Sequence, residues 1–168
     1  MINKLYKYLL NIGAVDMQRG PGLTGAAIEI KKATYGDYGY FYNAPGCTYE
    51  AINICFDYNV NPEIAGKEYF KNLIKVEHKI RKYAARYGYV IFNEGSHTWG
   101  HYMAIASRRD HEKANDYFNF RDRAINEVDL YIHNASINHT PVIDSEIRAI
   151  MDRHGDAYNE FLKATEAA

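Results

Sequence analysis

The chain has 168 residues and a formal net charge of −1, and 47% of its residues are hydrophobic against 24% that are charged. This balance excludes an intrinsically disordered chain, and the length suits one domain with a sizeable core. The net charge excludes a general electrostatic attraction to nucleic acid or membrane, and no run approaches the roughly 18 apolar residues of a membrane span.

The charges are nevertheless unevenly placed along the chain. Between Ala65 and Arg109, nine basic residues face three acidic ones, which leaves +6. From Ala124 to the end, three basic residues face eight acidic ones, which leaves −5. The near-neutral total conceals a basic middle and an acidic C-terminal third, and any electrostatic function must come from this uneven placement.

The first third of the chain predicts a helix followed by three short strands. The helix, over residues 3–15, is predicted by apolar residues at helical spacing, namely Leu5, Tyr8, Leu9 and Ile12. After the glycine-rich turn RGPGLTG at 19–25, alternation of side chains predicts strands at 26–34, at 38–42 and at 50–58. The short turns between these strands favour a three-stranded antiparallel meander.

A long basic amphipathic helix is predicted to begin near Pro62, since proline suits a first helical turn. Advancing each residue by about 100° gathers its apolar residues on one broad face: Phe70, Leu73, Ile74, Ile80, Ala84 and Tyr87. Five cations form a narrower stripe on roughly the opposite side: Lys71, Lys75, Lys79, Lys82 and Arg86. Such a stripe can follow phosphates, because binding them releases counterions, but it also suits a solvated face or a protein partner.

A second β-hairpin is predicted next, with strands at 89–93 and 97–106 and a turn at Glu94-Gly95. On the second strand, His97, Trp99 and His101 would share one face, where Trp99 can stack on a base or anchor a partner. The plainer interpretation places Trp99 in the core. Residues four apart on a strand are about 13 Å apart, whereas zinc ligands lie within about 2.1 Å of the ion, so no metal and no cofactor are expected.

The rest of the chain predicts two to three helices. Ser107 to Asp110 has the form of a capping box, Thr140-Pro141 opens a further helix, and Gly155 would end it before a short terminal helix. The prediction is a single α+β domain over 1–168, with a helical C-terminal subdomain at 108–168 as the finer division. The opening order of helix, three strands and helix is similar to that of double-stranded-RNA-binding domains, whose motif residues at the start of the second helix do not appear here in matching form.

The leading functional hypothesis is a non-enzymatic protein that binds DNA, RNA or another polyanion through the basic helix and the aromatic hairpin. Its candidate contacts are Lys71, Lys75, Lys79, Lys82, Arg86, Trp99, Arg108 and Arg109. One alternative is a protein-interaction or inhibitor module for an acidic host protein, encoded by a phage or mobile element with an AT-rich genome. A second alternative is a small nuclease or phosphoesterase that uses Glu94, His97 and His101.

Two expectations concern the setting of the protein. The cysteines Cys47 and Cys55 match no metal or redox spacing, so both are expected to be reduced thiols in a cytoplasmic protein without a signal peptide. The acidic C-terminal third could pair with the basic helix of a second copy, which makes a homodimer a further expectation.

Overall fold

The computed structural model describes residues 1–17, 24–98 and 100–168. Most of the predicted glycine-rich turn, the whole of Trp99 and the side chain of His97 lie outside this description. The described helices are α1 (Ile2–Asn11), α2 (Pro62–Ala65), α3 (Lys67–Tyr87), α4 (Arg108–Ile137) and α5 (Asp144–Glu166). The described strands are β1 (Val15–Asp16), β2 (Ile28–Asp37), β3 (Cys47–Phe56), β4 (Tyr89–His97) and β5 (Gly100–Ser107). The predicted α+β class and the order of helix, strands, long helix, hairpin and C-terminal helices are confirmed.

The described strands form one mixed sheet in the order β1-β2-β3-β5-β4. The first pair, β1 and β2, is parallel, whereas β5 pairs antiparallel with both β3 and β4. At the centre of the sheet, Ile52 lies opposite Ile105 and Ile54 lies opposite Met103. These side chains form a buried cluster with Leu5 and Leu9 of α1 and with residues of α3. Burial of this apolar surface holds both helices against the strands.

The strands that precede α3 differ in detail from the predicted meander. Residues 38–42 form turns and no strand, although their tyrosines alternate as they would on one. The carboxylate of Asp37 accepts the backbone N–H groups of Gly39 at 3.0 Å and of Tyr40 at 2.9 Å, which ends β2 and turns the chain. The additional strand is β1, in a segment predicted as the end of the first helix.

The second hairpin is longer than predicted, and its turn lies elsewhere. The predicted turn at Glu94-Gly95 is wrong, because β4 continues to His97 through a bulge between Phe92 and Gly95. Asn93, with φ of 50°, allows the extra residues to be accommodated without ending the strand. The chain reverses only after His97, which pairs with Gly100.

The C-terminal part forms two long helices. The capping box is confirmed, since Ser107 Oγ accepts the N–H of Asp110 at 3.1 Å. Gly155 does not end a helix but lies buried inside α5. A Cβ at Gly155 would come within 2.0 Å of Asn43 Oδ1, so the absence of a side chain makes room for a close approach. None of the described helices is both long enough and apolar enough to cross a membrane.

The chain divides into two compact units. The first comprises residues 1–35 and 49–111 and includes α1, α3 and the hairpin. The second comprises residues 36–48 and 112–168, and its core is aromatic: Phe41 and Tyr158 both contact Tyr117, at centroid distances of 6.0 and 5.2 Å. The predicted subdomain at 108–168 includes most of the second unit but not its segment 36–48, and the single domain over 1–168 stays a prediction.

Candidate functional site

The long helix α3 presents three different sides: a buried apolar side, a stripe of exposed cations, and a side whose charged residues pair with the hairpin. It has 21 residues and ends at Gly88, whose left-handed φ of 71° suits a glycine C-cap. Leu73, Ile80 and Ala84 are its buried residues, whereas Ile74 and Tyr87, predicted for the same face, are 59% and 50% exposed. The five predicted cations are all exposed, as the helical pattern indicates.

Most of these cations have no carboxylate partner within the described part of the chain. Lys71 is the exception, since its Nζ lies 3.0 Å from Glu68 Oε1. We call the remaining four residues the cation stripe: Lys75, Lys79, Lys82 and Arg86. At 1.5 Å per residue the stripe extends over roughly 16 Å of helix axis. Exposed positive charge that the protein does not neutralise itself is available to an external anion.

Three tyrosines lie beside the C-terminal half of the stripe. Tyr8 of α1 stacks on Tyr83 of α3 with ring centroids 3.9 Å apart and planes within 10°. Tyr83 in turn contacts Tyr87, one helical turn later, at 4.5 Å. Together with three members of the stripe they line a surface groove of about 400 Å³, which we call the tyrosine groove: Tyr8, Lys79, Lys82, Tyr83, Arg86 and Tyr87.

The tyrosine groove was not predicted from the sequence. The spacing of Tyr83 and Tyr87 indicates that they are neighbours on α3, but Tyr8 joins them only through the packing of α1. Burial and the neighbouring Tyr83 phenol raise the pKa of Tyr8, so this ring stays uncharged at neutral pH. The groove therefore combines aromatic rings with cations, and none of its described lining residues is acidic.

A backbone hydrogen bond places Arg108 and Arg109 near the C-terminal end of the cation stripe. The N–H of Arg108 donates to the carbonyl of Gly88 at 3.0 Å, and both arginines are exposed. The first turn of α4 thus begins beside the last turn of α3, which carries Arg86. Helix N-termini favour anions, so this end of the first unit adds to the positive surface.

A second cluster of charges joins α3 to the sheet, and its single guanidinium is shared by two carboxylates. We call it the ion network: Tyr58, Glu77, Arg81, Glu94 and His101. The guanidinium of Arg81 holds both oxygens of Glu94 at 2.9 Å and also donates to Glu77 at 2.8 Å. Tyr58 donates its hydroxyl to the other oxygen of Glu77 at 2.8 Å. The Arg81 fork lowers the pKa of Glu94, and the two carboxylates raise that of Arg81.

The ion network contains two of the three residues considered for catalysis. His101 Nε2 lies 4.0 Å from Glu94 Oε2 and 3.8 Å from Glu77 Oε1, beyond hydrogen-bonding distance. The sequence predicted His97 and His101 on one strand, and this is wrong, because His97 is the last residue of β4 and His101 lies on β5. Arg81 occupies both oxygens of Glu94, which disfavours this carboxylate as a general base, and the nuclease hypothesis stays a prediction.

Other chemistry is equally unsupported by the described side chains. A cavity of about 320 Å³ on the sheet is lined by Tyr35, Asn53, Cys55 and Tyr102 among others. Burial, with Glu29 and Asp57 nearby, raises the pKa of Cys55 to about 11, so its thiol is not a nucleophile at neutral pH. Across residues 1–17, 24–98 and 100–168, no group of three His, Cys, Asp or Glu side chains is arranged to hold a metal ion.

Trp99 is assigned to neither cluster, because it lies outside the described residues.

No protein-family model, curated protein or solved structure matches the chain. Its function is therefore inferred from the side chains themselves.

Proposed function

We propose that this protein is a non-enzymatic, cytoplasmic protein that binds nucleic acid, DNA or RNA, by placing phosphates along the cation stripe of α3. The observation that supports this most is that Lys75, Lys79 and Lys82 are exposed and form no ion pair with any described carboxylate. Cations that are not already neutralised can replace the counterions condensed on a polyanion, and the released counterions drive binding.

The stripe sets the expected strength of the salt dependence. Contacts with four phosphates predict a slope of log K against log salt concentration of about −3.6 for duplex DNA and about −2.8 for a single strand. The net charge of −1 provides no comparable general attraction. Binding is therefore expected to be local to the stripe and to be sensitive to single residues within it.

Charge reversal with a matched control tests this proposal. In the test variant Lys75, Lys79 and Lys82 are changed to Glu; in the control the exposed lysines Lys31, Lys113 and Lys163 are changed to Glu. Both variants have the same net charge, so they differ only in where the charge is removed. Fluorescence anisotropy should show about 100-fold weaker binding for the test variant and a much smaller loss for the control. Equal losses in the two variants would contradict a specific role of the stripe.

A second candidate function is a protein-interaction module that binds an acidic partner through the same helix, such as the host target of a phage-encoded inhibitor. Ile74, whose side chain is 59% exposed and which precedes Lys75 in the sequence, would give such a partner an apolar contact next to the cations. Recovery of one stoichiometric protein that survives nuclease treatment would favour this candidate. Co-purified nucleic acid, seen as a high ratio of absorbance at 260 to 280 nm, would favour the first.

The acidic C-terminal third of a second copy would be one such acidic partner. A homodimer of this kind is held by charge, so its dissociation constant should rise steeply with salt. Light scattering coupled to size exclusion, at low and at high salt, measures the mass directly. A monomer at both salt concentrations would exclude this homodimer.

A further inference from the structure

We propose that the nucleic acid is single-stranded and that one of its unpaired bases stacks in the tyrosine groove. This inference rests on the proposed function and adds the class of ligand. It is supported by the chemistry of the groove, which presents aromatic rings and cations side by side. Proteins that bind single strands combine these same two elements, because phosphates need cations and unpaired bases need a ring face.

The exposed ring is that of Tyr87. It is 50% exposed, and its plane is inclined by 45° to that of Tyr83, so the two rings do not cover each other fully. The Tyr8–Tyr83 pair beside it is already stacked at 3.9 Å. A base stacked on Tyr87 would extend this series of rings and would cover ring surface that is now exposed to water.

The cations of the groove are spaced to hold the backbone of the same strand. Lys79, Lys82 and Arg86 follow one another at three and four residues, which is roughly 4.5 and 6 Å along the helix axis. The guanidinium of Arg86 also lies 5.5 Å from the centre of the Tyr87 ring. Phosphate contacts and base stacking are therefore available within one groove.

Neither of the two competing polyanions uses the rings. Inside a duplex each base is covered on both faces by its neighbours, so Tyr87 finds a free base face only at the two ends and the cations dominate binding. An acidic peptide likewise pairs with the cations, but its carboxylate side chains carry no planar ring that could stack on Tyr87. A preference for single strands should therefore depend on Tyr87, whereas general polyanion binding should not.

The test compares one labelled oligonucleotide of about 16 nucleotides with its own duplex, at the same salt concentration, by fluorescence anisotropy. The proteins are the wild type, Tyr87→Leu, Tyr87→Phe and the control Tyr38→Leu, which removes a tyrosine that is 74% exposed in the second unit. Melting temperatures establish that all four are folded.

The wild type should bind the single strand about tenfold more tightly than the duplex. Tyr87→Leu should weaken single-strand binding about tenfold and leave duplex binding unchanged, because stacking on one ring contributes about that factor. Tyr87→Phe keeps the ring and should bind as the wild type does, as should Tyr38→Leu.

Three results would overturn the inference in distinguishable ways. Equal affinity for single strand and duplex, or a loss in Tyr87→Leu that is the same for both, removes the stacking proposal but leaves nucleic-acid binding intact. A labelled poly-glutamate peptide is measured as a third ligand, and tight binding of it with no preference for the oligonucleotide assigns the groove to an acidic protein instead. No salt-sensitive binding of either oligonucleotide refutes the proposed function together with the inference.

Discussion

Arg81 and Lys82 are neighbours on α3, yet their charges have opposite fates. Arg81 is neutralised inside the ion network, where Glu77 and Glu94 occupy its guanidinium. Lys82 is exposed and forms no ion pair with any carboxylate in the described ranges. Charge counted along a sequence therefore differs from charge available to a ligand, and of these two cations only Lys82 belongs to a candidate binding surface.

The cause of the difference is the hairpin. The bulge at Asn93 keeps Glu94 within β4, and from there its carboxylate meets Arg81. No described strand packs over Lys82, which is exposed and lines the tyrosine groove. The ion network thus ties α3 to the sheet, while the cation stripe remains exposed.

The largest expected effect comes from the buried side of α3, on which both charged sides depend. Ile80 lies between Lys79 and Arg81 in the sequence and is fully buried. Ile80→Ala should lower the free energy of unfolding by about 2–5 kcal/mol. Ile74→Ala, at an exposed position of the same helix, should change it by less than about 0.5 kcal/mol. Urea denaturation measures both, and similar costs would mean that the buried side is assigned wrongly.

A smaller effect on stability separates the two neighbours themselves. Arg81→Met leaves Glu77 and Glu94 without their shared partner and should cost about 1–2 kcal/mol, a range reduced by the partial exposure of the network. Lys82→Met should cost less than about 0.5 kcal/mol, since the exposed Lys82 forms no ion pair or side-chain hydrogen bond with the described residues. Chemical denaturation of the two variants measures the difference in their free energies of unfolding. If Lys82→Met is the more destabilising of the two, the comparison fails.

The ion network also predicts a dependence of stability on pH. Arg81 lowers the pKa of Glu94 in the folded state. The contribution of ionised Glu94 to folding stability is therefore fully present above the ordinary pKa of a glutamate, about 4.3. This contribution is lost as the pH falls through the lowered value. Glu94→Gln should remove that part of the acid sensitivity, whereas Glu112→Gln, at an exposed site on α4, should retain it. Denaturation curves at pH 6, 4 and 3 measure the difference, and identical curves for both variants would contradict it.

Local pattern was sufficient to predict most of α3 and its exposed cations, but not its start: the predicted start near Pro62 is wrong, because the short helix α2 ends at Ala65 and α3 begins at Lys67. The 3.6-residue period of its apolar residues and the glycine after Tyr87 determine the helix without reference to the rest of the chain. The same holds for the cap at Ser107, where side chain and backbone partner are three residues apart. These features depend only on near neighbours in sequence.

The tyrosine groove and the ion network could not be predicted in this way. Tyr8 and Tyr83 are 75 residues apart and meet only when α1 packs. The network depends on a bulge at the position where the sequence predicted a turn, Glu94-Gly95, and because the strand continues through that bulge His97 lies on β4, opposite the strand of His101. Similarly, the alternation of tyrosines at 38–42 predicted a strand, but the Asp37 side chain turns the chain there. Tertiary contact decided the groove and the network, whereas the Asp37 turn is a local feature, with partners two and three residues away, that the alternation of tyrosines obscured.

The most direct test of nucleic-acid binding by the cation stripe is the salt dependence of binding for three proteins, measured with one single-stranded oligonucleotide. The wild type should give a slope of log K against log salt of about −2.8, and Lys82→Gln, which removes one phosphate contact, about −2.1. Arg81→Gln should keep the slope of the wild type, because its charge is already neutralised by Glu77 and Glu94. A slope near zero for the wild type, or an equal change of slope in the two variants, would contradict binding through this stripe.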